Sequence, residues 1–162
     1  MLTVSLAPSS DFDAGTPSSA QANIADKPSQ QYYFTQIPDP SRRAPGDDAD
    51  EDGNANAIEY FMGTDPGNAG SKSALGTTRL ENASVKVFYP RAKNHPDISG
   101  RLIWSANLLA WFESGASDGL RTVVITESVA PPPGADPETV EATLAVTGDS
   151  SEALFFRLVV VE

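Results

Sequence analysis

Acidic and amide side chains recur at alternate positions in the segment from Asp48 to Glu59. Carboxylates at positions 1, 3 and 5 of this twelve-residue stretch are followed by glycine at position 6 and glutamate at position 12, as in a calcium-binding loop. Calcium takes about six to eight oxygen ligands, and alternate side chains of a tightly wound loop converge on one point. The segment therefore predicts a site for one Ca²⁺ ion. The predicted ligands are Asp48, Asp50, Asp52, Asn54, Asn56 and Glu59.

Each predicted ligand has a separate role in such a loop. The three aspartates would supply one oxygen each, and Gly53 permits the sharp turn. Asn54 would offer its backbone carbonyl, Asn56 would bind directly or through a water molecule, and Glu59 would close the shell with both oxygens. The alternative is a solvated acidic loop without an ion, which would require neither the glycine nor the terminal glutamate.

The residues after the loop predict the arm that carries Glu59. Ile58, Phe61 and Met62 fall on one helical face, and Gly63 is typical of a helix end. Before the loop, Pro45 and the following glycine disfavour a long entering helix. No second twelve-residue loop occurs in the sequence, so a paired, opening calcium sensor is not expected. A loop followed by one helix resembles the single calcium loops of dockerins and thrombospondin type 3 repeats.

The sequence after Gly70 is strand-like, with turn-rich stretches between apolar runs. We predict five strands, at 84–89, 101–105, 121–126, 138–147 and 153–161. The expected fold is mainly β, a small antiparallel β-sandwich with a calcium loop followed by one short helix. The predicted units are residues 1–44, a strand remnant and proline-rich linker; 45–70, the calcium loop and helix; and 71–162, the β-domain.

The apolar pattern also predicts which strand faces are buried. The strand at 138–147 alternates, with its inward residues Val140, Ala142, Leu144 and Val146. The last strand is apolar on both faces, which predicts a central strand covered on both sides. Trp104 is in phase with Leu102 and is expected in the core.

The first forty residues are rich in serine, proline and alanine. Residues 2–6 predict one strand, residues 7–22 a loop, and residues 27–45 a linker with one short strand or docking segment. The segment 2–26 resembles the closing hairpin of a Calx-β-type repeat, a β-sandwich module found in tandem in bacterial surface proteins. The resemblance implies that the chain is the tail of a longer polypeptide.

Composition narrows the possible partners of this 162-residue chain. Its net charge of −11 and pI near 4.4 would repel nucleic acid and anionic membranes, whereas divalent cations are natural counter-charges. No cysteine is present, so disulfides cannot compensate for a small core and a metal is the obvious substitute. No apolar run approaches the ~18 residues that span a bilayer, so membrane insertion is not expected. We expect any export signal to lie outside this chain.

Two weaker patterns would place an enzyme or a sugar-binding surface here. Gly115-Ala-Ser117-Asp-Gly119 matches a nucleophile elbow, and with His95 it predicts a calcium-dependent hydrolase. A strand-like run follows where the elbow needs a helix, so a tight turn is favoured, and His95 is expected to be a solvated turn residue. Exposed aromatic rings would make a carbohydrate-binding module, and the candidates are Tyr32, Tyr33, Trp104, Trp111 and Phe112.

A wider resemblance covers roughly residues 45–162. The loop and helix at 48–66, then 88–93, 102–111 and 155–161, resemble in this order the C-terminal region of large secreted proteins from verrucomicrobial and planctomycete-type bacteria. The resemblance implies a secreted or cell-surface location and a structural or anchoring duty. It assigns no catalytic residue. For a module of this kind, the expected partner besides calcium is a cell-surface protein or a polysaccharide.

Overall fold

The computed structural model describes residues 2–5, 19–22, 26–79, 84–132, 134–149 and 153–162. The strands are Leu2–Ser5 (β1), Ser19–Ala22 (β2), Gly76–Arg79 (β3), Ser84–Arg91 (β4), Ser99–Ser105 (β5), Arg121–Val129 (β6), Glu138–Gly148 (β7) and Phe155–Val161 (β8). The helices are Pro28–Gln36 (α1), a 3₁₀ turn Pro40–Arg42, and Asn56–Met62 (α2). The prediction of a mainly β chain is confirmed.

The strands pair in antiparallel fashion throughout. β3, β4, β7 and β6 form one sheet in that order, while β5 pairs with β8 and β1 pairs with β2. Side chains of the four-stranded sheet and of the β5–β8 pair meet in a single core cluster, which α2 joins through Phe61 and Met62. This arrangement agrees with the predicted small sandwich carrying one short helix after the loop.

The five predicted strands are all present, and the alternation in β7 is confirmed. Val140, Ala142 and Leu144 are fully buried, and Val146 is partly buried against them. β3 was not predicted, because its sequence Gly-Thr-Thr-Arg has no apolar alternation and it is held by backbone pairing with β4. β2 lies in the predicted loop at 7–22, most of which is outside the described residues.

The prediction that β8 is covered on both faces is wrong. Leu158 is buried on one face, but Phe155 and Val161 on the other are 36% and 47% exposed. β8 pairs with β5 alone among the described strands, so it lies at a sheet edge. Apolar residues on both faces predict burial only when both faces have cover, and the sequence does not show what covers them.

The short strand predicted within residues 27–45 is also wrong, because this segment forms α1. Pro28 stands in the first turn, where proline is tolerated, and Pro38 follows the helix end at Ile37. Tyr33 and Ile37 lie four residues apart on one face and are buried against Tyr60 of α2. The docking that the same prediction allowed is therefore made by a helix.

Asp97 supplies the N-terminal cap of α1 from a distant part of the chain. Its Oδ2 accepts a hydrogen bond from the Ser29 N–H at 2.9 Å, and its Oδ1 accepts one from the Tyr60 hydroxyl at 3.1 Å. Lys27, at the cap position of the helix itself, makes no side-chain cap bond. Burial alone would raise the pKa of Asp97, but these hydrogen bonds outweigh it and hold the pKa below its ordinary value.

We expect Asp97→Ala to lower the free energy of unfolding by about 1–2 kcal/mol at pH 7, through loss of the cap. Because the folded-state pKa is lowered, this contribution is complete above the unfolded value of about 3.9 and disappears as pH falls through the folded value. Urea unfolding from pH 7 to pH 3 should show the wild-type and variant curves converging at the acid end. The exposed Asp26→Ala is the control, and a constant gap at all pH values would contradict the cap.

Candidate metal centre

Three aspartate carboxylates meet in the loop before α2. One oxygen from each of Asp48, Asp50 and Asp52 lies within 4.8 Å of the other two, so together they could hold a metal ion. Backbone donors inside the loop hold the carboxylates in place. The Asp52 N–H donates to Asp48 Oδ1 and Asp50 Oδ1, both at 3.1 Å, and the Gly53 N–H donates to Asp48 Oδ2 at 2.9 Å.

The loop winds tightly because two of its residues adopt left-handed backbone conformations. Gly53 has φ of 95°, which glycine adopts without a steric penalty, as predicted for this turn. Glu51 has φ of 66°, an uncommon conformation for a residue with a Cβ. Its side chain is directed outwards, where Glu51 Oε1 forms an ion pair with Arg42 at 3.0 Å. Glu51 and Gly53 therefore bend the chain and leave the aspartates on the inside of the loop.

Glu59 is the most unusual group of the site. It is fully buried, and its Oε2 has no hydrogen-bond partner within the described part of the chain. Its Oε1 accepts a bond from the Thr64 hydroxyl at 3.2 Å. Burial, and then the negative charges of Asp50 and Asp52, raise the pKa of Glu59 to about 7. An ionised carboxylate in this position is destabilising unless a cation compensates it.

Asp50 shares this condition in a milder form. Its Oδ2 is buried and has no partner among the described residues. Burial raises the pKa of Asp50, and the charges of Asp52 and Asp48 act in the same direction against the hydrogen bond from the Asp52 N–H. Two carboxylate oxygens, one from the loop and one from α2, are thus buried beside further negative charge without a protein donor.

The two asparagines differ in position and in use. The Asn54 Nδ2 lies 3.4 Å from Asp52 Oδ2 and from the Ser73 carbonyl, so the side chain stabilises the loop. The predicted ligand atom of this residue is its backbone carbonyl oxygen, which these two bonds do not use. Asn56 is fully buried and connects the loop to the backbone segment that precedes it. Its Nδ2 donates to the carbonyls of Arg42 and Ala44, both at 2.8 Å, and its Oδ1 accepts from the Ala49 N–H at 3.3 Å. The predicted ligand Asn56 therefore contacts the backbone around the loop.

Two cations contact the outside of the loop, and sequence reasoning did not include them in the site. The Arg42 guanidinium donates to the Asp48 carbonyl at 2.5 Å, and the Lys72 ammonium donates to the Asp52 carbonyl. Both bonds go to backbone oxygens, so the three aspartate carboxylates remain directed to the loop interior. Arg42 and Lys72 lie 6 and 20 residues away from the aspartates whose carbonyls they contact. No local sequence pattern predicts these two bonds, and only the fold shows them.

α2 connects the loop to the sheets. Gly63 ends the helix in a left-handed conformation, as predicted, and the Thr64 N–H caps the Glu59 carbonyl at 2.9 Å. The Phe61 carbonyl accepts from the Ala92 N–H at 2.9 Å, next to the end of β4. The Phe61 ring lies over Gly100 of β5, where a Cβ would be 2.5 Å from the ring. The helix that carries Glu59 therefore contacts both sheets.

The weaker enzymatic pattern is not assembled as a catalytic pair. Ser117 Oγ donates to the Arg121 carbonyl at 2.8 Å and accepts from the Gly119 N–H at 3.1 Å, so Ser117 closes a tight turn before β6. His95 is half-buried, contrary to the prediction of a solvated side chain. Its ring stacks on Tyr60 at 3.8 Å, and its Nδ1 is 2.7 Å from the Tyr60 carbonyl. The turn sequence around His95 predicted an exposed side chain. The packing of α2 instead places the Tyr60 ring against it.

The candidate sugar-stacking rings lie in different parts of the fold. Trp104 is fully buried and stacks on Phe112 at 4.9 Å, which confirms its predicted core position. Tyr33 is buried between the helices. One face of Trp111 is covered by the Arg157 guanidinium, 4.5 Å from the ring centroid. The structure does not bring these rings together on one exposed face.

Comparison of the chain with protein-family models, with curated proteins and with solved structures gave no significant match. The resemblances to single-loop calcium proteins and to secreted bacterial surface proteins therefore remain predictions. None of the helices in the described ranges combines the length and the apolar character needed to cross a bilayer.

Proposed function

We propose that the loop binds one calcium ion, and that the ion stiffens a structural, anchoring or interaction module of a secreted or surface protein. The observation that carries the proposal is the fully buried Glu59, whose Oε2 has no partner in the described structure and which lies beside three converging aspartates. A bound cation would compensate the charge of all four carboxylates. Its binding free energy would then contribute to the stability of the fold.

The chemistry of the donors favours calcium over other metals. All the donors are oxygens, which suit hard cations, and the site lacks the imidazole or thiolate ligands typical of zinc. Magnesium prefers an octahedral site with one or two carboxylates and several retained waters, whereas calcium accepts more carboxylates in a flexible arrangement. Asp48, Asp50, Asp52 and Glu59, together with the Asn54 carbonyl, would hold the ion.

The wider role rests on the fold around the loop and on the sequence resemblance. The ion would lie at the junction between α2 and the sheets, where it would restrict motion of the helix that carries Phe61 into the core. A restricted junction suits a module that transmits force or presents a fixed surface. The secreted or surface location follows from the resemblance alone, and a surface protein or polysaccharide is the partner that we propose for such a module.

Isothermal titration with CaCl₂ tests the site. We expect one ion per chain with a dissociation constant of roughly 10⁻⁶ to 10⁻³ M, weaker binding of Mg²⁺, and a loss of at least about tenfold in affinity for Glu59→Gln. Glu51→Gln is the matched control, because Glu51 belongs to the same loop but pairs outwards with Arg42. Equal losses in both variants would mean that the loop attracts calcium only through its net charge, and would contradict the assigned site.

A further inference from the structure

A cleft lies where α1, α2 and the turn after β4 meet. Its volume is about 350 Å³, within the range of small-ligand sites in proteins. None of the described residues that line it is Asp, Glu, Lys or Arg, although the chain has 22 acidic and 11 basic residues. We name it the α1 cleft. The lining residues with polar or aromatic groups of interest are Gln31, Tyr32, Gln36, Tyr60, Asn94 and His95.

Three carboxamide groups belong to the α1 cleft. Gln31 and Gln36 come from adjacent turns of α1, and Asn94 comes from the turn after β4. No hydrogen bond joins the side chain of any of the three to another described residue, so all three carboxamides are available to a ligand. Gln30, the neighbour of Gln31 on α1, is also exposed but does not line the cleft.

Two tyrosine rings form an aromatic surface in the cleft. The centroids of the Tyr32 and Tyr60 rings are 5.1 Å apart. The Tyr32 hydroxyl donates to the Thr64 carbonyl at 2.8 Å, and the Tyr60 hydroxyl donates to Asp97 at 3.1 Å. Tyr60 is buried, whereas Tyr32 remains partly exposed. The Tyr32 ring is therefore held in place through its hydroxyl and offers part of its ring surface to a ligand.

His95 adds a hydrogen-bond acceptor of defined tautomer. Its Nδ1 lies 2.7 Å from the Tyr60 carbonyl, which can only accept, so Nδ1 carries the hydrogen. In the neutral ring Nε2 is then an acceptor. The stack on Tyr60, with the ring centroids 3.8 Å apart, fixes the plane of the imidazole.

This lining fits an uncharged ligand that has several hydroxyl groups. Ligands that carry phosphate, carboxylate or ammonium groups usually bind to charged partners, and the described lining has none. A carboxamide offers a donor and an acceptor side by side, and each hydroxyl of a sugar can both donate and accept. The apolar C–H face of a pyranose ring suits an aromatic surface. A purely apolar ligand would leave the carboxamides without partners.

We propose that the α1 cleft binds a neutral polysaccharide. Gln31, Gln36 and Asn94 bond to its hydroxyl groups. His95 Nε2 accepts a further hydrogen bond, and Tyr32 packs against the C–H face of a sugar ring. The inference rests on the proposed function of an anchoring module and narrows its partner to a polysaccharide, but it uses no residue of the ion site. It also differs from a platform of stacked rings, since Tyr32 alone of the five predicted rings lines the cleft.

Retention on insoluble neutral polysaccharides tests the proposal. The full chain in calcium buffer is mixed with cellulose, chitin, xylan or mannan, and the bound fraction is measured against protein concentration. We expect saturable retention on at least one of them that ~1 M NaCl does not reduce, because the lining is uncharged. Gln31→Ala should weaken this binding about three- to tenfold, the effect of one lost hydrogen bond. Gln30→Ala is the matched control and should bind as the wild type does.

Retention on none of the four polysaccharides would overturn the proposal, and so would equal binding by Gln31→Ala and Gln30→Ala. Titration with CaCl₂ on the same samples separates this inference from the proposed ion. Normal calcium binding without retention would remove the cleft and leave the ion site. Retention that persists in Glu59→Gln and is lost in Gln31→Ala would support the cleft whatever the titration shows.

Nitrogen–proton NMR spectra locate the bound sugar, because the side-chain amides of asparagine and glutamine give their own signals. The probe is a soluble oligosaccharide of the polysaccharide that retains the protein. We expect it to shift the side-chain signals of Gln31, Gln36 and Asn94 and to leave that of Gln30 unchanged. Shifts confined to the indole signal of Trp111 would place the sugar on that ring and overturn the assignment to the α1 cleft.

Discussion

Calcium in excess is expected to raise the melting temperature of the wild-type protein by about 5–10 °C and that of Glu59→Gln by at most about half as much. At a free concentration ~100 times the dissociation constant, one bound ion adds about 2.7 kcal/mol to the free energy of unfolding, and a domain of this size gains roughly 2–4 °C per kcal/mol. Differential scanning calorimetry in excess calcium, in magnesium and in chelator measures the difference. Glu51→Gln should retain the calcium response.

Unfolding in chelator at several pH values tests whether the buried charge of Glu59 is what destabilises the metal-free protein. The pKa of Glu59 is raised to about 7 from an ordinary value of 4.5, so the folded protein binds this proton more tightly than the unfolded chain does. Metal-free wild-type protein should therefore lose stability as pH rises between these two values, and Glu59→Gln should lose less, because the raised pKa of Asp50 remains. Identical melts of the wild type in all three solutions would show that the loop is only an acidic turn.

Trp104→Ala should lower the free energy of unfolding by about 3–5 kcal/mol, the usual cost of removing a large buried aromatic side chain. Trp104 is fully buried, stacks on Phe112 and donates its indole N–H to the Glu113 carbonyl at 3.2 Å. The variant leaves both a cavity and an unpaired carbonyl. Urea unfolding in calcium, followed by circular dichroism, measures the loss.

Trp111→Ala is the matched control for this prediction, since the chain has two tryptophans and Trp111 is only partly buried. Its cost should be under about 1 kcal/mol, because its main contact is a surface stack with Arg157. Similar losses for the two variants would mean that Trp111 also belongs to the core. That result would place the β5–β8 pair differently against the four-stranded sheet.

The loop and most strands could be predicted from sequence because their signals are local. The spacing of Asp48, Asp50 and Asp52 around a turn at Gly53 places three carboxylates together whatever the rest of the fold does. In the same way, the two-residue period of β7 marks one buried face, and Gly63 marks the end of α2. These features depend on neighbours within a few residues, and the structure confirms the convergence of the aspartates, the strand and the helix end.

Other features were decided only by tertiary contacts. Asn56 matches a ligand position, yet its carboxamide bonds to the backbone of Arg42 and Ala44 before the loop and of Ala49 within it. α1 depends on a cap from Asp97, 68 residues away from Ser29, and on burial of Tyr33 against α2. β8 is apolar on both faces but lies at an edge. Residue type determines what a side chain can bind. Packing between distant segments determines which groups reach that side chain and which strands lie at a sheet edge.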